Sequence, residues 1–220
     1  MSLSDFLKQK QRKEKKHALL SPSKCKQWKD YDEESLLKLV KSTTAAEIGT
    51  VIHEYAADRI AWGDKINKGE KKSILFELYR AGVMPLAIDL VDANFIFENL
   101  MNYVNDAIGF HMKPEVEVFY SEWCFGTADA LLYSEKDKFL RIHDLKTGTL
   151  PAHMDQLVDY AALYCLQNRI KVTDITAELR IYQAGEIIQY IPESDEILEM
   201  MENNIQKSNF VEKINSGRIR

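Results

Sequence analysis

A chain of 220 residues, 45% hydrophobic and 29% charged, can bury a sizeable core without disulfides or a structural metal. Its net charge of −5 excludes the global basic field that announces a nucleic-acid partner, although the run "KQKQRKEKKH" from Lys8 to His17 is strongly basic against an acidic remainder. Cys25, Cys124 and Cys165 lie far apart with no C-x-x-C spacing, which argues against a disulfide framework and a four-cysteine metal or iron–sulfur site.

Residues 1–18 read as a basic N-terminal helix or arm, and 19–220 as one domain. The N-terminus lacks the apolar core of a secretory signal and no apolar run spans a membrane, so the expected location is cytoplasmic. In "LSPSKCKQW" a turn at Ser21-Pro22-Ser23 offers a serine to cap a short helix. "TTAAEIGTVIHEYAADRIAWG" predicts a helix over Thr43 to Gly63, with Ile48, Ile52, Tyr55 and Ile60 as its apolar stripe and Gly63 as its stop. Further helices are expected over Lys72 to Gly82 and Pro85 to Ile108.

From Pro114 the texture changes. The stretch from Glu115 to Gly148 is rich in Val, Phe, Tyr and Trp, and its alternation predicts three strands, with "SEKDK" as a hairpin turn. "AHMDQLVDYAALYCLQN" returns to a helical period, with Leu157, Ala161, Tyr164 and Cys165 on one side. "ITAELRIYQAGEIIQYIP" predicts two strands around Ala184-Gly185, and a long helix follows from Ser194. The order is that of an α/β fold with a mixed central sheet flanked by helices.

Four places carry chemistry. Asp144 and Lys146 are two apart on a strand, so both side chains leave one face while Leu145 points the other way. Asp129, in "FGTADALL", sits on the preceding strand, joined to the Asp144 strand by a short hairpin. Neighbouring carboxylates repel unless a proton or cation lies between them, and carboxylate oxygens suit magnesium or manganese. His53 lies on a helix face with Gly49 and Ala57 one turn to either side, which leaves room around the imidazole. Gln156 and Tyr160, four apart, share a helix face and can hydrogen-bond a phosphate or a water. Each has an ordinary reading as well: a strand-end ion pair, a turn cap, a packed histidine, an amphipathic boundary.

Taken in order, "GTVIHE", "GTAD", "DLKTG" and "QLVDY" resemble the motif set of the PD-(D/E)XK nucleases, closest to the RecB-like branch with its phage-type exonucleases. "HALLSPSKCKQW" resembles an entry segment of that branch, and the resemblance runs from about Leu20 to Leu166. It implies that His53, Asp129 and Asp144 hold magnesium or manganese with the Leu145 carbonyl. Lys146 then orients or activates the attacking water, and Gln156 and Tyr160 support the site or touch DNA. Glu117 is a further acid whose role stays open, and Glu54 is expected to make a structural contact.

Two departures are visible. The chain cannot supply four cysteines for the iron–sulfur cluster of some relatives, and it has no G-x-x-x-x-G-K-[ST] loop for a helicase motor. The expected activity is metal-dependent hydrolysis of DNA, as an exonuclease leaving 5′-phosphates in phage or bacterial recombination, repair or replication. The expected setting is a bacterial cell or phage-infected host, with DNA as partner, no membrane, and a homo-oligomer or a recombination protein as further partners. The alternatives are a subunit active only in a larger recombination complex, and an inactive nuclease fold that binds nucleic acid.

Overall fold

The computed structural model describes residues 18–80, 90–148 and 151–218. The chain divides into two compact units, Met1–Thr43 and Thr44–Arg220. Residues 1–17, where the basic arm is expected, lie outside the described residues.

In the first unit a 3-10 turn over Pro22–Lys24 runs into α1 (Cys25–Trp28). Proline opens the turn as expected, but Ser21 makes no side-chain cap. The correction has a local cause. The Ser21 and Ser23 hydroxyls bond to each other at 3.0 Å, and the Ser21 carbonyl is held by the Lys24 amide and the Trp28 indole. The next helix, α2 (Glu33–Trp62), begins at Glu33 rather than Thr43. Ser42 and Thr43 send their hydroxyls back to the Leu39 carbonyl, which lets these residues stay within the helix.

In the second unit α2 buries Ile48, Ile52, Ala56 and Ile60 at successive turns. It ends at Gly63, φ +70°, where the Gly63 and Asp64 amides reach back to the Ile60 and Arg59 carbonyls. Then follow α3 (Lys71–Arg80), α4 (Leu90–Gly109), β1 (Lys113–Ser121), β2 (Cys124–Ser134), β3 (Phe139–Leu145), α5 (Asp155–Asn168), β4 (Thr176–Gln183), β5 (Glu186–Tyr190) and α6 (Ser194–Asn215). The expected helix start at Pro85 lies outside the described residues.

The five strands form one open sheet in the order β1-β2-β3-β4-β5. Only β3 and β4 are parallel, and α5 is the crossover that such a connection requires. The architecture is therefore α/β with a mixed sheet. One face packs on α2 and α4 through Ala130, Leu145 and Tyr182. The other packs on α5 and α6 through Ala128, Leu140, Ile142 and Leu157. Among the described residues no helix is long and apolar enough to cross a membrane.

The β4–β5 hairpin turns on Ala184 and Gly185, both at positive φ, as a two-residue turn between twisted strands demands. At Gly185 a Cβ would stand 2.9 Å from Phe95, at a φ of +80°. Gly185→Ala is expected to destabilise the protein by about 1–3 kcal/mol. Chemical denaturation checks this, and the neighbouring Ala184→Gly should cost far less because that turn position already favours glycine.

Candidate metal centre

The β2–β3 ladder ends at Ala130↔His143. One step further the opposed residues are Asp129 and Asp144, and no backbone pair forms there. Instead Oδ2 of Asp129 accepts the Leu145 amide at 2.8 Å, so a carboxylate replaces a carbonyl as the ladder's last acceptor. On its other side Asp129 faces Glu115, between the pairs Pro114↔Ala130 and Val116↔Ala128. Ala128 belongs to the core under α5 and Ala130 to the core under α2 and α4, so the alternation changes phase at Asp129. Glu115 sits at φ +49°, a left-handed conformation that costs a non-glycine residue on the order of 1 kcal/mol or more. Strain of this kind persists where the surroundings require it, and here it accompanies an acid turned toward an acid.

His53 reaches the same place from α2, with Nδ1 3.4 Å from Oδ1 of Asp129. Gly49 and Ala57 flank it as the spacing predicts, and both line the cleft. Gly49 allows a close approach of the segment after β3, since a Cβ there would lie 3.2 Å from the Thr147 hydroxyl. Ligand atoms of His53, Glu115 and Asp129 all lie within 4.8 Å of one another. They open onto a cleft of about 780 Å3 that Glu54 and Asp58 also line. Glu54 thus borders the cleft rather than packing into the protein.

Asp144 and Lys146 leave the same face of β3, as the strand period requires. Asp144 is 2% exposed. The Lys146 ammonium donates to its Oδ1 at 3.0 Å. It also stands 3.0 Å from Oδ2 but outside hydrogen-bonding geometry, so Oδ2 is a buried oxygen with no hydrogen bond. The same ammonium donates to Oε1 of Gln156 at 2.8 Å, and Nε2 of Gln156 donates to the Tyr160 hydroxyl at 2.9 Å. Gly126 on β2 makes room for that tyrosine, whose ring would lie 3.0 Å from an added Cβ. Lys146 is therefore held at a known place by an acid from its own strand and an amide from α5.

Of the residues singled out in the sequence, His53 contacts Asp129, Asp129 accepts the Leu145 amide, and Lys146 joins Asp144 to Gln156 and so to Tyr160. Leu145 turns its side chain into the core and gives its amide to Asp129. The missed residue is Glu115. Glu117, the acid singled out instead, is exposed opposite Thr127 and is not part of the triad. Both glutamates occupy one face of β1 by period, so only the register against β2 and the approach of α2 separate them.

Burial and then the charge of Asp129 push the Asp144 carboxyl up to about 6, against the opposing pull of Lys146 and His53. Burial also raises Glu115, with Asp129 adding to it. Burial works to lower His53, but its hydrogen bond to Asp129 and the charges of Asp129, Asp144 and Glu115 outweigh that and leave it raised. In all three the negative charge of Asp129 raises the group, beside burial as the larger cause for Asp144 and Glu115. A divalent cation fits this donor set. One imidazole nitrogen and carboxylate oxygens are ligands that suit manganese or magnesium.

A pH dependence follows. The folded protein holds the Asp144 proton more tightly than the unfolded chain does. Without a cation it should lose on the order of 3 kcal/mol as the pH rises from 3.8 through about 6, at about 1.4 kcal/mol per pH unit. His53, also raised, adds a loss in the same direction above 6.5. A cation bound at the triad would take the place of those protons. The rise in melting temperature on adding manganese should be close to nothing near about pH 5 and largest near about pH 8. Differential scanning fluorimetry across that range checks it, and a rise independent of pH would contradict the assignment.

Residues 17–210 match the model of the family described as Protein of unknown function (DUF2800), and the chain belongs to that family. No curated protein and no solved structure matches it.

Proposed function

We propose that this member of the DUF2800 family is a divalent-cation-dependent deoxyribonuclease of the PD-(D/E)XK kind, an exonuclease of the RecB-like, phage-type branch. One observation carries the reading: the β2–β3 pairing stops beside Asp129 and the Asp144-Leu145-Lys146 run, where His53 of α2 contacts Asp129 and Gln156 of α5 contacts Lys146.

In this reading His53, Glu115 and Asp129 would hold the cation, with the Asp144 carboxylate near them. Bound there, a magnesium or manganese ion lowers the pKa of a water and neutralises charge growing on the phosphate. The rest is the work of the chain. Lys146, fixed between Asp144 and Gln156, presents an ammonium beside the attacking oxygen and the scissile phosphate. Tyr160 fixes the Gln156 amide, and so the orientation of the carbonyl that Lys146 holds. Asp129, bonded to the Leu145 amide, ties the middle of β2 to the end of β3. The bond from phosphorus to the 3′ oxygen breaks, so the phosphate stays on the 5′ end of the downstream fragment and the upstream fragment keeps a 3′-hydroxyl, as the resemblance implies. The setting that fits such an enzyme is phage or bacterial recombination, repair or replication, alone or with a recombination protein. The full set of ligands speaks against a fold that merely binds nucleic acid.

The test is product chemistry. DNA digested with manganese should yield ends that a ligase joins without prior phosphorylation, and digestion should stop when EDTA removes the cation. Ends that need phosphorylation, or digestion unaffected by EDTA, would overturn the reading.

A further inference from the structure

Beyond the acidic triad, β1 and β2 continue as a two-stranded ribbon. Its α5 side is covered, with Val118 and Ala128 fully buried. Among the described residues the other side is exposed. On it Glu117 and Thr127 are paired and exposed, and the next pair on that face is Phe119 and Phe125. The two phenylalanines are directly paired and stacked, with ring centroids 6.2 Å apart and planes at 29°. They are 40% and 60% exposed. Trp123, 46% exposed, occupies the two-residue turn that joins the strands.

Single exposed apolar residues need no explanation, but a stacked aromatic pair with a tryptophan at the adjoining turn is a contiguous feature of another kind. This one shares a strand face with Glu115 and Asp129, four residues along each strand, or roughly 13 Å away. That is within reach of one strand running from the cleft. Glu117 and Glu122 make the ribbon acidic, so it does not attract a phosphate backbone. An aromatic pair can stack on the flat face of a base without a positive charge. Bases stacked in a duplex cannot offer that face; unpaired ones can.

We propose that Phe119 and Phe125, with Trp123 at the turn, form a stacking platform for unpaired bases of a DNA strand whose backbone enters the metal cleft. This rests on the nuclease reading for its substrate and adds that the strand at the site is single. The platform selects by base stacking, and the cation centre acts on the backbone a few nucleotides away.

The experiment measures binding of the full chain to a fluorescent oligothymidylate, an abasic oligomer of equal length and a blunt duplex, in calcium. The oligothymidylate should bind best. Phe125→Ala should weaken it by about tenfold, the effect of losing one stacked base. Phe125→Trp should restore it, and the abasic oligomer should be insensitive to either change. Melting temperature and cation affinity should not move, since both rings are exposed and neither is a ligand. Equal binding of the abasic oligomer, or unchanged affinity in the Phe119→Ala, Phe125→Ala double variant, would overturn the proposal. So would a wild-type oligomer in sedimentation that the double variant dissolves without loss of DNA affinity, since the face would then join copies of the chain. Cleavage of DNA in manganese is scored separately. Ring-dependent binding without cleavage would sink the nuclease reading and leave the platform standing; cleavage with no ring dependence would do the reverse.

Discussion

Asp129→Asn is expected to abolish cation binding and to lower DNA cleavage by at least about 10³-fold, with the fold intact. Asp129 does two jobs with two oxygens. Oδ2 accepts the Leu145 amide, and Oδ1 faces His53 within the triad. Asparagine keeps an acceptor for the amide and loses the charge. Its melting temperature without a cation should match or exceed that of the wild type, because the repulsion with Asp144 and Glu115 is relieved. Manganese should no longer raise it. Asp129→Ala removes the acceptor too and leaves the Leu145 amide unbonded at a buried position, which costs a further amount of about 1–3 kcal/mol. Titration calorimetry with manganese and denaturation on both variants separate the ligand from the strut. Wild-type manganese affinity in Asp129→Asn would remove the metal centre from the account.

Lys146→Met is expected to retain cation binding and lose cleavage, by about 10²–10³-fold. The methionine keeps much of the stem and removes the ammonium held between Asp144 and Gln156. Asp144 then faces Asp129 without its counter-charge, so its carboxyl rises further above the ordinary range. The cation-free variant should therefore be less stable than the wild type above about pH 6, and manganese should stabilise it more, because only His53 then remains to offset the Asp144 charge. A loss of manganese binding together with cleavage would mean that Lys146 shapes the site rather than taking part in the reaction.

Most of the fold was legible because hydrophobic period and turn residues agree along this chain. The three strands after Pro114, the hairpin at Ser134 to Lys138 and the helix from Ser194 come out where the pattern puts them. The site residues were legible for a related reason. Asp144 and Asp129 are charges inside apolar strands, and a strand does not bury charge for stability alone. Two things were not legible. The pattern puts the start of α2 too late, at Thr43 rather than Glu33; the Ser42 and Thr43 hydroxyls bond back within the helix. Glu115 was hidden because its role depends on a left-handed backbone angle and on the phase change opposite it. Neither is written in the period of β1, which makes Glu115 and Glu117 equivalent.

The most direct measurement incubates end-labelled linear DNA and covalently closed circular DNA with the protein and manganese, beside Asp129→Asn as control. The account predicts that the wild type shortens the linear DNA progressively, leaves the closed circle whole, and that the variant does neither. Equal activity in the variant, or no cleavage of either DNA with any divalent cation, would contradict it.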